Sequence, residues 1–284
     1  MIVGSRHSPW AITALIFIPV VVLVVVPLLV FLLHSFWYVE DGQVVREWTI
    51  RNYVRFFSDQ SSLPIFFKTV LMGLLVTLIT FLVGYPCAFL IWTLPPSSKY
   101  GMLLLFVIPL FMSYIVKIYA IRGMLGRTGP VNELLLLLGF LDAPTTALLF
   151  NMTSVLITLS LILLPFTILP AFIALERIPA EFIEASTDLG AGFWHTLRYI
   201  IIPLSLPGTL VGACFCFVLA IGDFVTPEMV GGTTGFTFGR LIYSQFGMAY
   251  NWPFGAALSV VLLVVVVSII LLSTKLTQST DASR

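Results

Sequence analysis

Only 13 aspartates and glutamates occur in 284 residues, and three of them, Glu181, Glu184 and Asp188, repeat at i, i+3 and i+7. On a helix that spacing lines the carboxylates along one face, where they can meet a basic protein surface. A second pair, Asp223 and Glu228, stands beside glycines and aromatics at the end of an apolar run. Such carboxylates either attract a cation or face solvent in a simple loop. Lys117 and Arg122 approach or enter another apolar run. An ionisable group inside a membrane is functional by default, whereas a lysine near a helix end snorkels to the headgroups, and both readings stand for Lys117. Trp37 and Tyr38 follow an apolar run as an interfacial aromatic anchor and add two aromatic faces to the candidates.

Enzyme chemistry finds little support. No H-E-x-x-H or G-x-S-x-G occurs, and the three histidines are scattered. Cys87, Cys214 and Cys216 lie in apolar runs, where a thiol behaves as a small hydrophobe, so neither a disulfide nor a metal site is expected. A phosphate-binding G-x-x-x-x-G-K-[ST] loop is absent too, since none of Lys68, Lys99, Lys117 and Lys275 follows a glycine.

The elements that must position the candidate residues are membrane helices. Hydrophobic residues make up 59% of the chain and charged ones 10%, far below the roughly one quarter of a soluble domain. The net charge of +1 and the lack of a basic run exclude a nucleic-acid surface. Apolar segments long enough for a core of about 30 Å fall at 9–35, 66–94, 101–121, 147–175, 204–222 and 253–273. These predict one all-α membrane domain over residues 1–284, with about six spans and both termini on one side. The run from Pro9 exceeds the roughly 7–15 residues of a signal-peptide core, so it reads as a retained first span. Residues 40–59 read as a polar, solvated loop, and GPVNELLLLLG as a short interfacial or re-entrant helix. Gly208 and Gly212 form a G-x-x-x-G that permits close helix approach. Lysines and arginines do not fix the orientation: Arg6, Lys99, Arg177, Arg198, Lys275 and Arg284 fall on one side, and Arg46, Arg51, Arg55, Arg122, Arg127 and Arg240 on the other.

Residues 176–203 interrupt this pattern. Pro179 suits the first turn of a helix and Gly190 the residue just past its last, which brackets a helix from about Ala180 to Leu189. Ile178, Phe182, Ala185 and Leu189 form its apolar face beside the acidic one. A second short helix, Phe193 to Ile200, is expected to end before Pro203, where the chain turns back into the membrane. Anionic lipids disfavour the acidic face, so protein docking is expected there.

Glu184, Ala185, Gly190, Ile200, Ile202 and Pro203 resemble the E-A-A-x3-G-x9-I-x-L-P signature of permease subunits of bacterial binding-protein-dependent ABC importers. Ser186 and Ile202 depart from it, and both keep a small or an apolar side chain. IPLFMSYIVKIYAIRGMLG, GPVNELLLLLG, PEMVGG and NWPFGAA extend the similarity through nearly the whole chain, toward the first permease of spermidine/putrescine importers. The resemblance implies the type I permease fold, with a cytoplasmic coupling segment in which Glu181, Phe182, Glu184, Ala185, Asp188, Leu189, Gly190 and Pro203 meet an ATPase subunit. It further implies a bacterial inner-membrane location with both termini cytoplasmic. Its partners would be a second, homologous but non-identical permease, two ATPase subunits and an extracytoplasmic solute-binding protein. This chain would bind no cofactor, ATP and Mg being used by the ATPase subunits. For a flexible polycation, Asp223, Glu228, Trp37 and Tyr38 are the path candidates, and Lys117 argues the other way. An ion-gradient-driven secondary transporter is the alternative, but the repeated halves of such proteins are not evident.

Overall fold

Prolines and glycines decide where the helices of this protein bend and where they touch. The computed structural model describes residues 9–282, so Arg6 and Arg284 of the charge count lie outside the described residues. Two compact units are present: one holds the described residues up to 60 with 242–264, the other 61–241 with the described residues from 265 onward.

In the first unit, α1 (Pro9–His34) carries Pro19 and Pro27 within the helix, and from Phe17 to Leu33 its described apolar side chains are exposed on all sides, as those of a lipid-facing helix are. The stretch expected to be a solvated loop is instead ordered. β1 (Tyr38–Glu40) pairs antiparallel with β2 (Gln43–Val45), Tyr38 opposite Val45. Asp41 (φ 48°) and Gly42 (φ 75°) close the hairpin in the left-handed region that a two-residue turn requires. Then α2 (Arg51–Ser58) is tied back to the end of α1, because buried Asn52 donates to the carbonyls of Ser35 (3.0 Å) and Trp37 (2.6 Å).

The second unit is built around three long helices. α3 (Ser62–Thr93) is followed by α4 (Pro96–Val107), α5 (Tyr114–Leu125), α6 (Pro130–Leu137) and α7 (Met152–Glu176). Next come α8 (Ala180–Asp188), α9 (Phe193–Thr196), α10 (Ile202–Gly222) and α11 (Val225–Val230), while α12 (Phe238–Gly247) and α13 (Trp252–Ala282) run across the division between the units. α3, α7 and α10 pack through glycines. A Cβ at Gly208 would stand 2.7 Å from the Ala174 Cβ, and one at Gly212 would stand 2.8 Å from the Phe166 carbonyl oxygen. The G-x-x-x-G therefore faces α7 at a separation only glycine allows. Gly84 of α3 packs almost as tightly on α7, where a Cβ would stand 3.1 Å from the Thr167 Cβ. Several buried hydroxyls are satisfied locally, as where Ser205 donates to the Ile201 carbonyl, or between helices, as where Tyr85 and Ser205 hydroxyls meet at 2.8 Å, while those of Thr158 and Ser160 on α7 have no hydrogen-bond partner among the described residues.

Among the described residues, five helical stretches are long and apolar enough to cross a membrane: Phe17–His34, Ser62–Thr93, Met152–Glu176, Phe193–Gly222 and Trp252–Ser273. The expected span over 101–121 is broken instead. Pro96–Phe111 and Tyr114–Leu137 meet at 104°. Pro109 removes one helical donor, the helix tightens into a 3₁₀ turn at Ile108–Phe111, and Ser113 is extended (ψ 136°) before α5 begins. The expected end of a short helix before Pro203 is also corrected. From α9 the chain passes through a π-helical turn at Leu197–Ile201 straight into α10. The wider turn accommodates a proline that supplies no N–H, and the helix continues through it.

Candidate functional site

Apart from Trp37 and Tyr38, the residues singled out by sequence fall at or beside the two ends of this continuous helix. At its N-terminal end, α8 is stopped by a Schellman cap. The Ala191 N–H donates to the Ser186 carbonyl (3.0 Å) and the Gly190 N–H to the Thr187 carbonyl (2.9 Å), with Gly190 at φ +77°. Pro179 occupies the N-cap rather than the first turn. Glu181, Glu184 and Asp188 are exposed, and among the described residues none of them has an ion-pair partner. Beside them Phe182, Ala185 and Leu189 are exposed too, Leu189 at 87%. Only Ile178, at the start of that apolar face, is buried, within the cluster of Ile168, Ala171 and Leu175.

The outward apolar residues border a cavity of about 580 Å³ between α8 and α9, whose other walls are Gly190, Gly192, His195, Tyr199 and Ile200. α9 carries two further exposed aromatics, Phe193 and Trp194. Free acids beside exposed apolar rings make a surface that water alone does not explain. One contact escaped the sequence reading. The Ser186 and Thr196 hydroxyls, both buried, meet at 2.8 Å and fasten α8 to α9. Its trace in the sequence is that Ser186 stands where the signature has alanine. Pro203 sits at the beginning of α10, directly after the π turn.

At the other end of the helix, Asp223 follows Gly222 and lines a cavity of about 710 Å³ that Lys117 also lines. The Asp223 carboxylate accepts from the Tyr114 hydroxyl (2.8 Å) and from the Val225 N–H (2.9 Å), with a longer bond from the Thr226 N–H (3.4 Å). Tyr114 and Lys117 stand on α5 just past the 104° bend, so the break in the third span is what brings them to Asp223. Leu110, Phe111, Phe166 and Phe224 supply apolar walls. Glu228 does not line this cavity. It binds Arg240 at 2.5 Å, and Arg240 is held in turn by the Gly232 carbonyl (2.8 Å) and the Phe236 ring. Trp37 and Tyr38 belong to the first unit, where Arg46 and Arg51 lie over their rings, each at 5.4 Å. Among the described residues no group of three or more His, Cys, Asp or Glu could hold a metal.

A helical membrane bundle that joins a capped surface helix to a charged internal cavity through one unbroken helix has the form of a transport permease subunit. The sequence model for the binding-protein-dependent transport system inner membrane component matches residues 1–275, and the chain belongs to that family. It is a permease subunit of a binding-protein-dependent ABC importer. Among its relatives, the spermidine/putrescine transport system permease protein PotB of Escherichia coli K12 is 34% identical over 250 residues, covering 86% of this chain and 89% of that one. PotB of Haemophilus influenzae is 33% identical over 259 residues, 90% of each chain. The inner membrane ABC transporter permease protein YdcU of E. coli K12 is 34% identical over 255 residues, 84% of this chain and 80% of that one. In fold, the chain matches a chain of a bacterial ABC transporter involved in import of the acidic polysaccharide alginate, with TM-score 0.73 at 16% identity over 95% of this chain and 96% of that one.

Proposed function

We propose that this permease imports a small, flexible organic amine, of the polyamine kind named in its relatives or a related solute. The observation that carries the proposal is Asp223, a carboxylate held by three donors on the wall of an aromatic-lined cavity at the end of α10. An ammonium group entering there meets a fixed negative charge and the faces of Phe111, Phe166 and Phe224, the combination that stabilises a partly desolvated cation.

The energy comes from outside the chain, which has no phosphate-binding loop. Two separate ATPase subunits, using ATP and Mg, dock on the α8–α9 surface. Glu181, Glu184 and Asp188 meet basic residues there, while Phe182, Ala185 and Leu189 enter an apolar groove. This places α8 and both termini on the cytoplasmic side. A second permease, homologous but not identical, completes the path, and an extracytoplasmic binding protein delivers the solute. Closure of the ATPase pair displaces α8, the Ser186–Thr196 contact passes the motion to α9, and α10 carries it to the cavity.

The test is solute-stimulated ATP hydrolysis by the purified complex with its binding protein. Putrescine or spermidine, or another small amine, is expected to stimulate, and Asp223→Asn to abolish the response while leaving the complex assembled. Stimulation by none of these amines would reject the reading.

A further inference from the structure

The cavity that holds Asp223 also holds the opposite charge. Lys117 and Asp223 line it together, yet they do not pair with each other: the ion pairs among the described residues are Lys99 with Glu176 and Arg240 with Glu228. Tyr114 stands between them. Its hydroxyl donates to Asp223 at 2.8 Å, and its ring lies 5.5 Å from the Lys117 ammonium. The aspartate is therefore well supplied with donors, while the lysine has a ring face and no carboxylate. A half-buried lysine in a largely apolar wall without an anionic partner is costly to maintain, and the cost is reduced when an anion arrives.

We propose that the cavity is built for a solute with two unlike ends, an amine at Asp223 and a carboxylate at Lys117: an ω-amino acid in preference to a pure polycation. The proposal rests on the reading of this cavity as part of the solute path and specifies the solute more narrowly. A diamine satisfies Asp223 and then sets its second ammonium against Lys117. An ω-amino acid of a few methylenes satisfies both charges and stretches its chain past the Tyr114 ring, along Phe111 and Phe166. Lys117 is then a specificity-determining residue, and Asp223 serves both solute classes.

The experiment uses the full complex in proteoliposomes with its binding protein, and reads ATP-driven uptake of putrescine and of 4-aminobutyrate as a ratio. The wild type is expected to take up 4-aminobutyrate, and Lys117→Gln to raise the putrescine-to-aminobutyrate ratio about tenfold or more. Lys117→Arg, which keeps the charge, should hold the ratio near wild type. Because general damage to the fold lowers both uptakes together, the ratio isolates the role of the charge. An unchanged ratio in Lys117→Gln, or wild-type uptake of polyamines without 4-aminobutyrate, overturns the inference and leaves the amine reading intact. Uptake of neither solute, with spermidine also refused, overturns both.

Discussion

Replacing Gly190 tests whether the cap of α8 matters to the machine. Gly190 has φ +77°, and a Cβ built there meets no heavy atom within 4 Å. Any cost of a side chain is thus the residue's own backbone preference and not a clash with neighbours. An L-residue in the left-handed region costs about 1–2 kcal/mol, a β-branched one sits at the upper end, and asparagine tolerates the conformation best. If the cap opens instead, two hydrogen bonds worth about 1 kcal/mol each are given up, so the penalty is bounded on either route. At about 1.4 kcal/mol per tenfold, Gly190→Val should lower the capped-to-open ratio of α8 by about 10- to 30-fold relative to wild type, and Gly190→Asn by only a few-fold. The assay is titration of purified ATPase subunits onto detergent-solubilised permease, with apparent Kd as the readout, followed by solute-stimulated ATP hydrolysis. Valine that binds as wild type, or asparagine as damaging as valine, would refute the reasoning, because only the αL requirement separates the two.

Three other outcomes are expected. Gly212→Leu drives a side chain into the Phe166 backbone carbonyl, which cannot step aside, so the α7–α10 contact should open and the protein lose its monodisperse peak in size-exclusion chromatography, whereas a leucine at exposed Gly222 should not do this. Ser186→Ala leaves the buried Thr196 hydroxyl with only a long bond to the Gly192 carbonyl (3.4 Å) and should cost about 1 kcal/mol in thermal unfolding, most of which the double change with Thr196→Val restores. Glu228→Gln breaks an ion pair whose glutamate side chain is 50% exposed, so stability should fall by less than about 1 kcal/mol and uptake should match wild type; a large loss of uptake would return Glu228 to the solute path.

The features legible in the sequence were those encoded by one residue or one short spacing. Gly190 announced its left-handed cap, and Gly208 with Gly212 announced a close helix contact, because glycine meets each requirement at the least cost. The Asp41-Gly42 hairpin carried an equally local signal, two turn residues between short β-forming stretches, but the surrounding mixed charge hid it. What composition does not show is the balance between a proline and its surroundings. Pro203 reads as a stop, yet a π turn carries the helix through it; Pro109 sits inside an apolar run that reads as one span, yet there the helix breaks. The candidate site followed the same division. The acids of α8 were visible as a stripe, whereas the association of Asp223 with Tyr114 and Lys117 depends on the bend that no hydropathy window detects. The pairing of Glu228 with Arg240 was equally hidden, since it joins residues twelve apart across a glycine-rich turn.

The absence of a break at Pro203 has a mechanical consequence. Phe193–Gly222 is 30 residues long, and at about 1.5 Å per residue it forms a rod of about 45 Å. A tilt of about 5° at the end beside α8 then sweeps the far end through about 4 Å, more than the length of a hydrogen bond. Asp223 is the first residue past that far end. A rearrangement at α8 too slight to repack a core is therefore large enough, one rod-length away, to make or lose the grip of a carboxylate on its cargo.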